Sequence, residues 1–488
     1  MLFNSLTFVI FFALVLALHF RPGASWSAKK WQLLVASYVF YAAWNPPFVL
    51  LLMLSTVVDW KVAGALAAAE GKGRRRFLLA VSLLVNLGAL AYFKYGAFFL
   101  ENFVELLAWF GVEARFAEPD IVLPMGISFY TFQTMAYSLD AYLGRARPGR
   151  SFRDFALYVT FFPQLVAGPI VRPNELLPQF ESEPERRPGM LPWGLSLMCL
   201  GLFQKVVLAD GALAPHVEAV FDGGMGPPTV PSFADAWLGT LAFAAQIFCD
   251  FAGYSTTAIG AALVLGFSLP DNFRSPYAAL GFSDFWRRWH ITLSTWLRDY
   301  LYIPLGGNRQ GPIRTQINLL ITMLLGGLWH GASWTFVVWG GLHGSYLVLE
   351  RGLRRLVARV EGFSRPGLPR SLGLVVAWLL TFVGVNLAWV FFRAKDLDRA
   401  AALLGQMTGL GSLGGAEPGV RVLQTQGVVE IGIVVAGLLA AQLLMRERRL
   451  EAVVAKTPAP VVGLVLGFML WTIITTQGTG DAFIYFQF

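Results

Sequence analysis

Apolar residues occur along most of this chain in runs long enough to cross a membrane, separated by short polar segments. The first run, residues 2–20, has no basic residue before it and is followed by Arg21, Lys29 and Lys30. A secretory signal peptide carries its positive charge before the apolar run, so this run predicts a transmembrane helix instead. By the positive-inside rule, its N-terminus lies outside the cytoplasm and the basic segment inside.

The next three runs, residues 31–44, 48–69 and 77–100, continue this alternation. A turn is predicted at Asn45-Pro46-Pro47, because proline cannot continue a helix interior. We expect a second cytoplasmic loop at the basic residues Lys72, Arg74, Arg75 and Arg76. The following loop is predicted to be external because it is acidic, with Glu101, Glu105, Glu113, Glu118 and Asp120. The alternating charge of these loops supports the orientation.

Two later segments are too irregular for simple lipid-facing helices. Residues 123–144 contain Pro124, Gly126 and many hydroxyl groups, and residues 155–173 are interrupted at Pro163, Gly168 and Pro169. Broken backbone at membrane depth survives only where protein or water covers it. We therefore expect both segments inside the helix bundle or in re-entrant elements.

The remaining runs predict further membrane elements. They cover residues 191–208, 233–267, 371–392, 428–445 and 461–475, and the second is long enough for more than one element. Residues 181–187 predict a charged loop, the basic runs 351–359 and 446–449 predict cytoplasmic segments, and the final FIYFQF predicts an interfacial anchor. The chain is thus predicted to be an all-α polytopic membrane protein with about 11–13 membrane helices plus re-entrant and interfacial helices. We expect one domain over residues 1–488, with N-terminal spans (1–120), a catalytic core (121–350) and C-terminal spans (371–488).

Composition supports the membrane assignment and excludes several function classes. The chain is 56% hydrophobic and 14% charged, whereas soluble proteins carry about a quarter charged residues. The net charge of +8 comes from short basic runs between apolar spans, which indicates cytoplasmic loops and no nucleic-acid partner. The two cysteines, Cys199 and Cys249, lie in apolar segments without metal-ligand spacing. Neither a Walker loop, a dinucleotide fingerprint nor a Ser-His-Asp motif is present.

Candidate chemistry concentrates between residues 283 and 344, which hold three of the five histidines. His330 follows an apolar run in LLGGLWHGASW, where Gly326, Gly327 and Gly331 would let a backbone or a thin acyl chain approach closely. A neutral imidazole at this depth could take a proton from a hydroxyl as a general base. The alternative is a histidine that hydrogen-bonds a neighbouring helix.

The sequence WRRWHITLSTWLRDY predicts an amphipathic helix with Arg287, His290, Ser294 and Arg298 near one face. Its arginines could bind phosphate or carboxylate groups, although an ordinary interfacial helix would share this pattern. Trp329, beside His330, and Asn308, in the glycine-rich turn PLGGNRQG, are further candidate substrate-binding residues.

A carboxylate at Asp250 lies in a strongly apolar segment and therefore needs a partner. Gln246 and Tyr254 share its helix face by spacing. We expect Asp250 to pair with an arginine of the 287–298 helix and to hold that helix in place. Cys249 has no basic neighbour that would favour a nucleophile, and His343 is expected to be structural.

Two segments, WRRWHITLSTWLRDYLYIPLGGN and GGLWHGASWTFVVWGGLHG, resemble the membrane-bound O-acyltransferase (MBOAT) family. FFPQLVAGPIVRPNELLPQF, DFAGYST and FIYFQF are most similar to its bacterial branch, which contains alginate O-acetyltransferase, its polysaccharide-acetylating relatives and the D-alanyl transfer protein of teichoic acids. The resemblance covers roughly residues 1–394 plus the tail.

This resemblance implies helices arranged around a central funnel, with His330 at the family's catalytic position and His290 at its second motif position. It implies an O-acetyltransferase of the bacterial inner membrane that uses cytosolic acetyl-CoA as co-substrate and no further cofactor or metal. Arg287, Arg298, Ser294, Asp250, Trp329 and Asn308 would bind substrate or organise the site. The acceptor would be a cell-surface polysaccharide such as alginate, or a hydroxyl on a periplasmic SGNH-type partner enzyme.

Two other functions remain open at this point. The same fold could carry a D-alanyl group or a longer acyl group. A transporter or flippase for a lipid-linked saccharide would also need broken helices and buried charges, although the chain shows no internal repeat and its polar residues concentrate in one region.

Overall fold

The computed structural model describes residues 1–114, 116–117, 121–145, 149, 151–185, 187–223, 229–360, 370–409 and 419–476. Within these ranges the regular structure is helical, and one isolated bridge joins Pro231 to Val420. The predicted anchor FIYFQF and two of the predicted acidic loop residues, Glu118 and Asp120, lie outside the described residues.

Twenty α-helices follow one another in the part of the chain that the structure describes. The first ten are α1 (Leu6–His19), α2 (Trp26–Ala42), α3 (Phe48–Ala68), α4 (Lys72–Trp109), α5 (Ile127–Leu143), α6 (Phe152–Thr160), α7 (Phe162–Leu165), α8 (Pro173–Leu176), α9 (Met190–Leu202) and α10 (Ala214–Asp222). The other ten are α11 (Phe233–Val264), α12 (Phe282–Trp286), α13 (Ile291–Leu297), α14 (Gly311–His330), α15 (Trp334–Val360), α16 (Arg370–Arg393), α17 (Leu397–Thr408), α18 (Thr425–Met445), α19 (Leu450–Val454) and α20 (Ala459–Thr475).

Several of these helices have the length and apolar composition of membrane spans, which confirms an all-α polytopic membrane protein. Six qualify among the described residues: Phe48–Ala68, Lys72–Trp109, Met190–Asp222, Phe233–Val264, Leu372–Arg393 and Thr425–Met445. Helices α1 and α20 are apolar but shorter. The total of about 11–13 membrane helices stays a prediction.

Two boundary predictions were wrong. The basic residues 72–76 form the first turns of α4 rather than a loop, and Glu101 and Glu105 lie in the last turns of the same helix. Helix α4 has 38 residues and is longer than the apolar core requires, so both of its ends can carry charged residues in the polar interface. Residues 233–267, a run long enough for more than one element, contain the single helix α11, which ends at Val264.

The two irregular segments are buried, as their polarity and breaks predicted. Almost every residue of α5 is buried, and so are residues 155–171 across the break between α6 and α7. The hydroxyl of Tyr158 donates to the carbonyl of Val171, and the amide of Gln164 donates to the carbonyl of Tyr158. Side chains thus satisfy backbone groups that the interrupted helix leaves without partners.

The chain forms two compact units. Unit 1 comprises residues 1–198 and 254–270, and unit 2 comprises residues 199–253 and 271–488. Every candidate site residue from the sequence lies in unit 2. The single domain with boundaries near residues 120 and 350 stays a prediction.

Candidate functional site

His330 is the last residue of α14, and α15 begins only a few residues later at Trp334. Glycines allow these two helices to pack backbone against backbone. A Cβ atom at Gly327 would collide with the carbonyl oxygen of Phe336, and one at Gly340 would collide with the carbonyl of Met323. Of the three glycines noted in the sequence, Gly327 thus serves close helix packing, whereas a Cβ atom at Gly326 would meet the side chain of Leu297 and one at Gly331 would meet the ring of Phe336.

Aromatic rings enclose the imidazole of His330, which is 2% exposed. Its ring centroid lies 5.0 Å from those of Trp329 and Trp339 and 5.4 Å from that of Phe392. The His290 ring is 6.3 Å away. The structure thus brings together three predicted site residues, His330, His290 and Trp329, in an environment that excludes bulk water.

His290 lies in a sharp turn, not within a helix. Helix α12 ends at Trp286, His290 has a left-handed φ of +42°, and α13 begins at Ile291. The prediction that Arg287, His290, Ser294 and Arg298 share one helix face was therefore wrong. Backbone bonds to a neighbouring segment explain the break, because the N–H of Ile291 donates to the carbonyl of Asn272. Such strained backbone is common at functional sites.

The side chain of Asn272 fixes the His290 imidazole and its tautomer. Its Oδ1 accepts from the backbone N–H of Thr292 (3.3 Å), from the Thr292 hydroxyl (3.0 Å) and from Nδ1 of His290 (3.1 Å). Because a backbone N–H can only donate, the atom that it contacts is the amide oxygen. Nδ1 of His290 therefore carries a hydrogen, and in the neutral ring Nε2 has the lone pair. The edge-on ring of Phe251, 4.6 Å away, packs against this imidazole.

Asp250 pairs with a lysine, so the predicted arginine partner was wrong. Nζ of Lys205 lies 2.5 Å from Asp250 Oδ1 and 2.8 Å from Asp210 Oδ1, and all three side chains are buried. Lys205 and Asp210 belong to a π-helical segment, Phe203–Leu213, whose wide turns bring residues five apart onto one side. In an ordinary α-helix, residues 205 and 210 would not face the same side, so helical spacing in the sequence does not predict this pairing.

The other predicted substrate-binding residues are more exposed. Arg287 lies only loosely against Asp284, at 4.0 Å, and its side chain is 69% exposed. Arg298 pairs with the adjacent Asp299 at 2.7 Å. Asn308 is exposed in the turn that follows the second π-helical segment, Arg298–Tyr302. The predicted glycine-rich turn is present there.

Ser294 is half-buried one turn into α13, and its hydroxyl donates to the carbonyl of Trp289. It therefore remains near His290 along the chain, although the two residues do not share a helix face.

Asp284 organises the exposed arginine side of this region. Burial raises its pKa, but the N–H of Leu280 and the guanidinium of Arg288, helped by that of Arg446, outweigh burial and hold the pKa below its usual value. The Asp284 carboxylate accepts from Nε of Arg288 at 3.0 Å and from Nη2 of Arg446 at 3.2 Å. Arg287 therefore projects from a charged turn that the ion pairs of Asp284 with Arg288 and Arg446 hold in place.

Sequence reasoning missed the residues that shape the two histidines' surroundings, namely Asn272, Phe251, Trp339 and Phe392. Trp339 lies in the tryptophan-rich run after His330, and this run could have predicted aromatic rings around that histidine. Asn272 comes from a loop with no helical spacing to His290, so no local pattern connects them.

His343 is fully buried, and its Nδ1 accepts from Nε1 of Trp286 at 3.3 Å. Its structural role stays a prediction. Among the described residues, no three His, Cys, Asp or Glu side chains gather closely enough to hold a metal ion.

Comparison with known proteins gives this arrangement a family. The model of the membrane-bound O-acyltransferase (MBOAT) family matches residues 143–392, a range that contains all the candidate site residues. A Probable alginate O-acetylase AlgI from Azotobacter vinelandii is 42% identical over 414 residues, 84% of this chain and 79% of that protein. A Peptidoglycan O-acetyltransferase from Helicobacter pylori is 40% identical over 408 residues, 78% of this chain and 74% of that protein.

A Teichoic acid D-alanyltransferase from Streptococcus thermophilus is a more distant relative. It is 29% identical over 238 residues, 46% of this chain and 56% of that protein. Two extended matches at 40% identity or above, together with a family match across the paired-histidine region, confirm the resemblance seen in the sequence. The chain belongs to the membrane-bound O-acyltransferase family and is a multi-pass membrane acyltransferase.

Proposed function

We propose that this protein transfers an acetyl group from acetyl-CoA toward the hydroxyl groups of a cell-surface polysaccharide such as alginate. The observation that carries the proposal is the pair of buried imidazoles, His330 and His290, with ring centroids 6.3 Å apart inside an aromatic enclosure. The names of the more similar relatives support acetyl as the acyl group and a glycan as the acceptor.

In this proposal His330 acts as the general base. It takes the proton of the acceptor hydroxyl while the hydroxyl oxygen bonds to the thioester carbonyl carbon. The carbon–sulfur bond then breaks, and His330 returns the proton to the departing thiolate of CoA. General acid–base catalysis of this kind contributes about 10²–10⁴-fold to the rate.

His290 is proposed to position the reacting groups. Because its Nδ1–H is engaged by Asn272, its Nε2 lone pair can accept a hydrogen bond from the acceptor hydroxyl or from water. The φ of +42° and the bonds to Asn272 hold this nitrogen in one orientation. A rigid second imidazole of this kind raises the fraction of productive encounters.

The remaining predicted residues are proposed to act at the edge of the site. Arg287 and Arg298 would attract the phosphates of CoA, since guanidinium groups form charge-assisted bonds with phosphate oxygens. Trp329 would line the acyl passage, and Ser294 and Asn308 would offer polar contacts to the donor.

Asp250 would act indirectly. Its ion pair with Lys205 holds α11 at the point where the next residue, Phe251, meets His290. A change at Asp250 would therefore reach the chemistry through the position of that ring.

We further propose the location and partners that the sequence analysis predicted. The protein would lie in the bacterial inner membrane with its N-terminus in the periplasm and its basic segments in the cytoplasm, where acetyl-CoA is available. A periplasmic SGNH-type enzyme would complete the transfer to the polymer. Acetyl-CoA would be a co-substrate, and no resident cofactor is invoked.

D-alanyl transfer is the second candidate, because one relative carries that name. Its lower identity and its coverage of less than half of this chain make it the weaker one. Membership of an acyltransferase family argues against the saccharide transporter.

The test uses the full chain in nanodiscs with acetyl-CoA labelled on the acetyl group and alginate oligosaccharides as acceptor, with and without a periplasmic extract. We expect release of CoA and formation of labelled ester. Adding a D-alanyl carrier thioester as a competing donor should not reduce either product. Nanodiscs without protein provide the background rate. Label transfer from a D-alanyl donor, with acetyl-CoA left intact, would contradict the proposal.

A further inference from the structure

Three buried tryptophans of unit 2 carry indole N–H groups that have no hydrogen-bond acceptor. Trp289, Trp339 and Trp389 are each 0% exposed, and none of their Nε1 atoms has a partner among the residues that the structure describes. Trp389 lies between the other two, with its ring centroid 5.0 Å from that of Trp289 and 5.8 Å from that of Trp339. Buried polar groups without a partner are rare in folded proteins, so these donors need an explanation.

Three other tryptophans of this chain do have acceptors. The indole of Trp237 donates to the carbonyl of Met407 at 3.0 Å, and that of Trp378 donates to the carbonyl of Tyr277 at 2.8 Å. The indole of Trp26 donates to the carbonyl of Phe180 at 3.0 Å. The missing acceptors are therefore not a general property of tryptophan in this fold.

Trp339 is the one of the three whose ring contacts His330. The two ring centroids are 5.0 Å apart, and the rings meet edge to face. On its other side Trp339 lies 4.8 Å from the ring of His343. Nδ1 of His343 accepts from the indole of Trp286, so the hydrogen of this neutral imidazole is on Nε2 and neither nitrogen can accept from Trp339. The N–H of Trp339 is thus a donor beside the proposed general base.

The proposed reaction needs such a donor, because negative charge develops on the thioester carbonyl oxygen. When the acceptor oxygen bonds to the carbonyl carbon, an electron pair of the C=O bond moves onto the carbonyl oxygen, and it returns when the carbon–sulfur bond breaks. A donor already held in place stabilises this charge strongly where bulk water is excluded. Two other rings near His330 do not supply it: Phe392 has no N–H, and the Nδ1–H of His290 is engaged by Asn272.

We propose that Trp339 is a catalytic residue whose indole N–H donates a hydrogen bond to the carbonyl oxygen of the acyl thioester. The bond strengthens as that oxygen becomes negative. Trp339 keeps its proton throughout, while His330 carries the proton of the acceptor hydroxyl. The inference rests on the proposed acyl transfer and adds the group that stabilises its charged intermediate.

The test measures CoA release from acetyl-CoA, with alginate oligosaccharides as acceptor, by the full chain in nanodiscs. Trp339→Phe keeps an aromatic ring and removes the N–H. We expect its kcat to fall about 10²–10³-fold, as when one oxyanion donor is removed. The KM should change little, because the charge on the oxygen develops only in the transition state.

Trp237→Phe is the matched control. It also removes an indole N–H in unit 2, but this one already donates to the carbonyl of Met407. Its kcat should stay near that of the wild type. Because Trp339→Phe also removes ring volume, the second variant carries benzothienylalanine at position 339. This residue has nearly the size of tryptophan and a sulfur atom in place of the N–H, so we expect the same fall in kcat.

A wild-type kcat with benzothienylalanine would overturn the proposal and leave Trp339 a packing role. A loss of kcat in Trp329→Phe with none in Trp339→Phe would also overturn it, and would assign the donor to Trp329. Both results leave acyl transfer itself intact. If the wild type released no CoA from acetyl-CoA, the proposed function would fail and this inference with it.

Discussion

The two histidine segments of unit 2 hold their imidazoles in different ways. His330 ends a regular helix, α14, whose position is set by glycine-mediated packing against α15, and aromatic rings surround its side chain. His290 lies in a turn with left-handed backbone, and Asn272 fixes its Nδ1 by a hydrogen bond.

The difference fits the separate tasks proposed for the two residues. A ring that aromatic side chains shield from bulk water can exchange its proton only with groups that enter the site, as a proton carrier must. A ring fixed by a hydrogen bond and a strained turn presents one nitrogen in one direction, as a positioning group must. We therefore expect changes that loosen His290 to reduce the rate less than the loss of His330.

The sharpest test of the positioning role is Asn272→Ala. It removes the acceptor for the Nδ1–H of His290 and for the N–H of Thr292. We expect kcat to fall about tenfold, which corresponds to the loss of about 1.4 kcal/mol, with a smaller change in the KM for acetyl-CoA. CoA release from nanodisc-embedded protein measures both constants.

Asn272→Asp is the matched control, because its carboxylate can accept the same bonds. It should recover most of the lost kcat. Asn272→Leu has a similar size but no acceptor oxygen, so it should stay as slow as Asn272→Ala; recovery in Asn272→Leu would indicate a purely steric role. An unchanged kcat in Asn272→Ala would show that the orientation of His290 does not matter.

A smaller effect is expected at the exposed edge of the same segment. Arg287→Ala should raise the KM for acetyl-CoA several-fold and leave kcat unchanged, because the arginine is proposed to contact only the phosphates. S-acetyl-N-acetylcysteamine carries the thioester without phosphates, so its kcat/KM should not change.

Arg21→Ala, which also removes one exposed arginine charge, controls for general electrostatics. Equal losses with both donors in Arg287→Ala would place Arg287 at the reacting group instead of at the phosphates.

Sequence pattern predicted the features that depend on long stretches of chain. Apolar runs identified most of the longer helices, and the proline and glycine breaks in residues 155–173 correctly indicated a buried, interrupted segment. The glycines around His330 correctly indicated close approach. These signals succeed because burial in a membrane protein depends on the average polarity of many residues.

The features that sequence missed depend on contacts between distant segments. The break at His290 arises because Asn272 captures backbone N–H groups that a helix would otherwise use. The partner of Asp250 depends on a π-helical turn that aligns Lys205 with Asp210. Neither effect has a local spacing. Helical periodicity therefore gave a wrong face for Arg287, and the need of Asp250 for a positive partner was assigned to the wrong residue.

The most direct test of the central claim compares CoA release by wild type and His330→Ala in nanodiscs with labelled acetyl-CoA. His216→Ala is the control, since His216 is half-buried and pairs with Glu430 at 2.9 Å, outside the aromatic enclosure. Both variants should accumulate in the membrane. His330→Ala should lose activity by about 10²–10⁴-fold or more, and His216→Ala should stay near wild type. A wild-type rate in a folded His330→Ala protein would contradict the account.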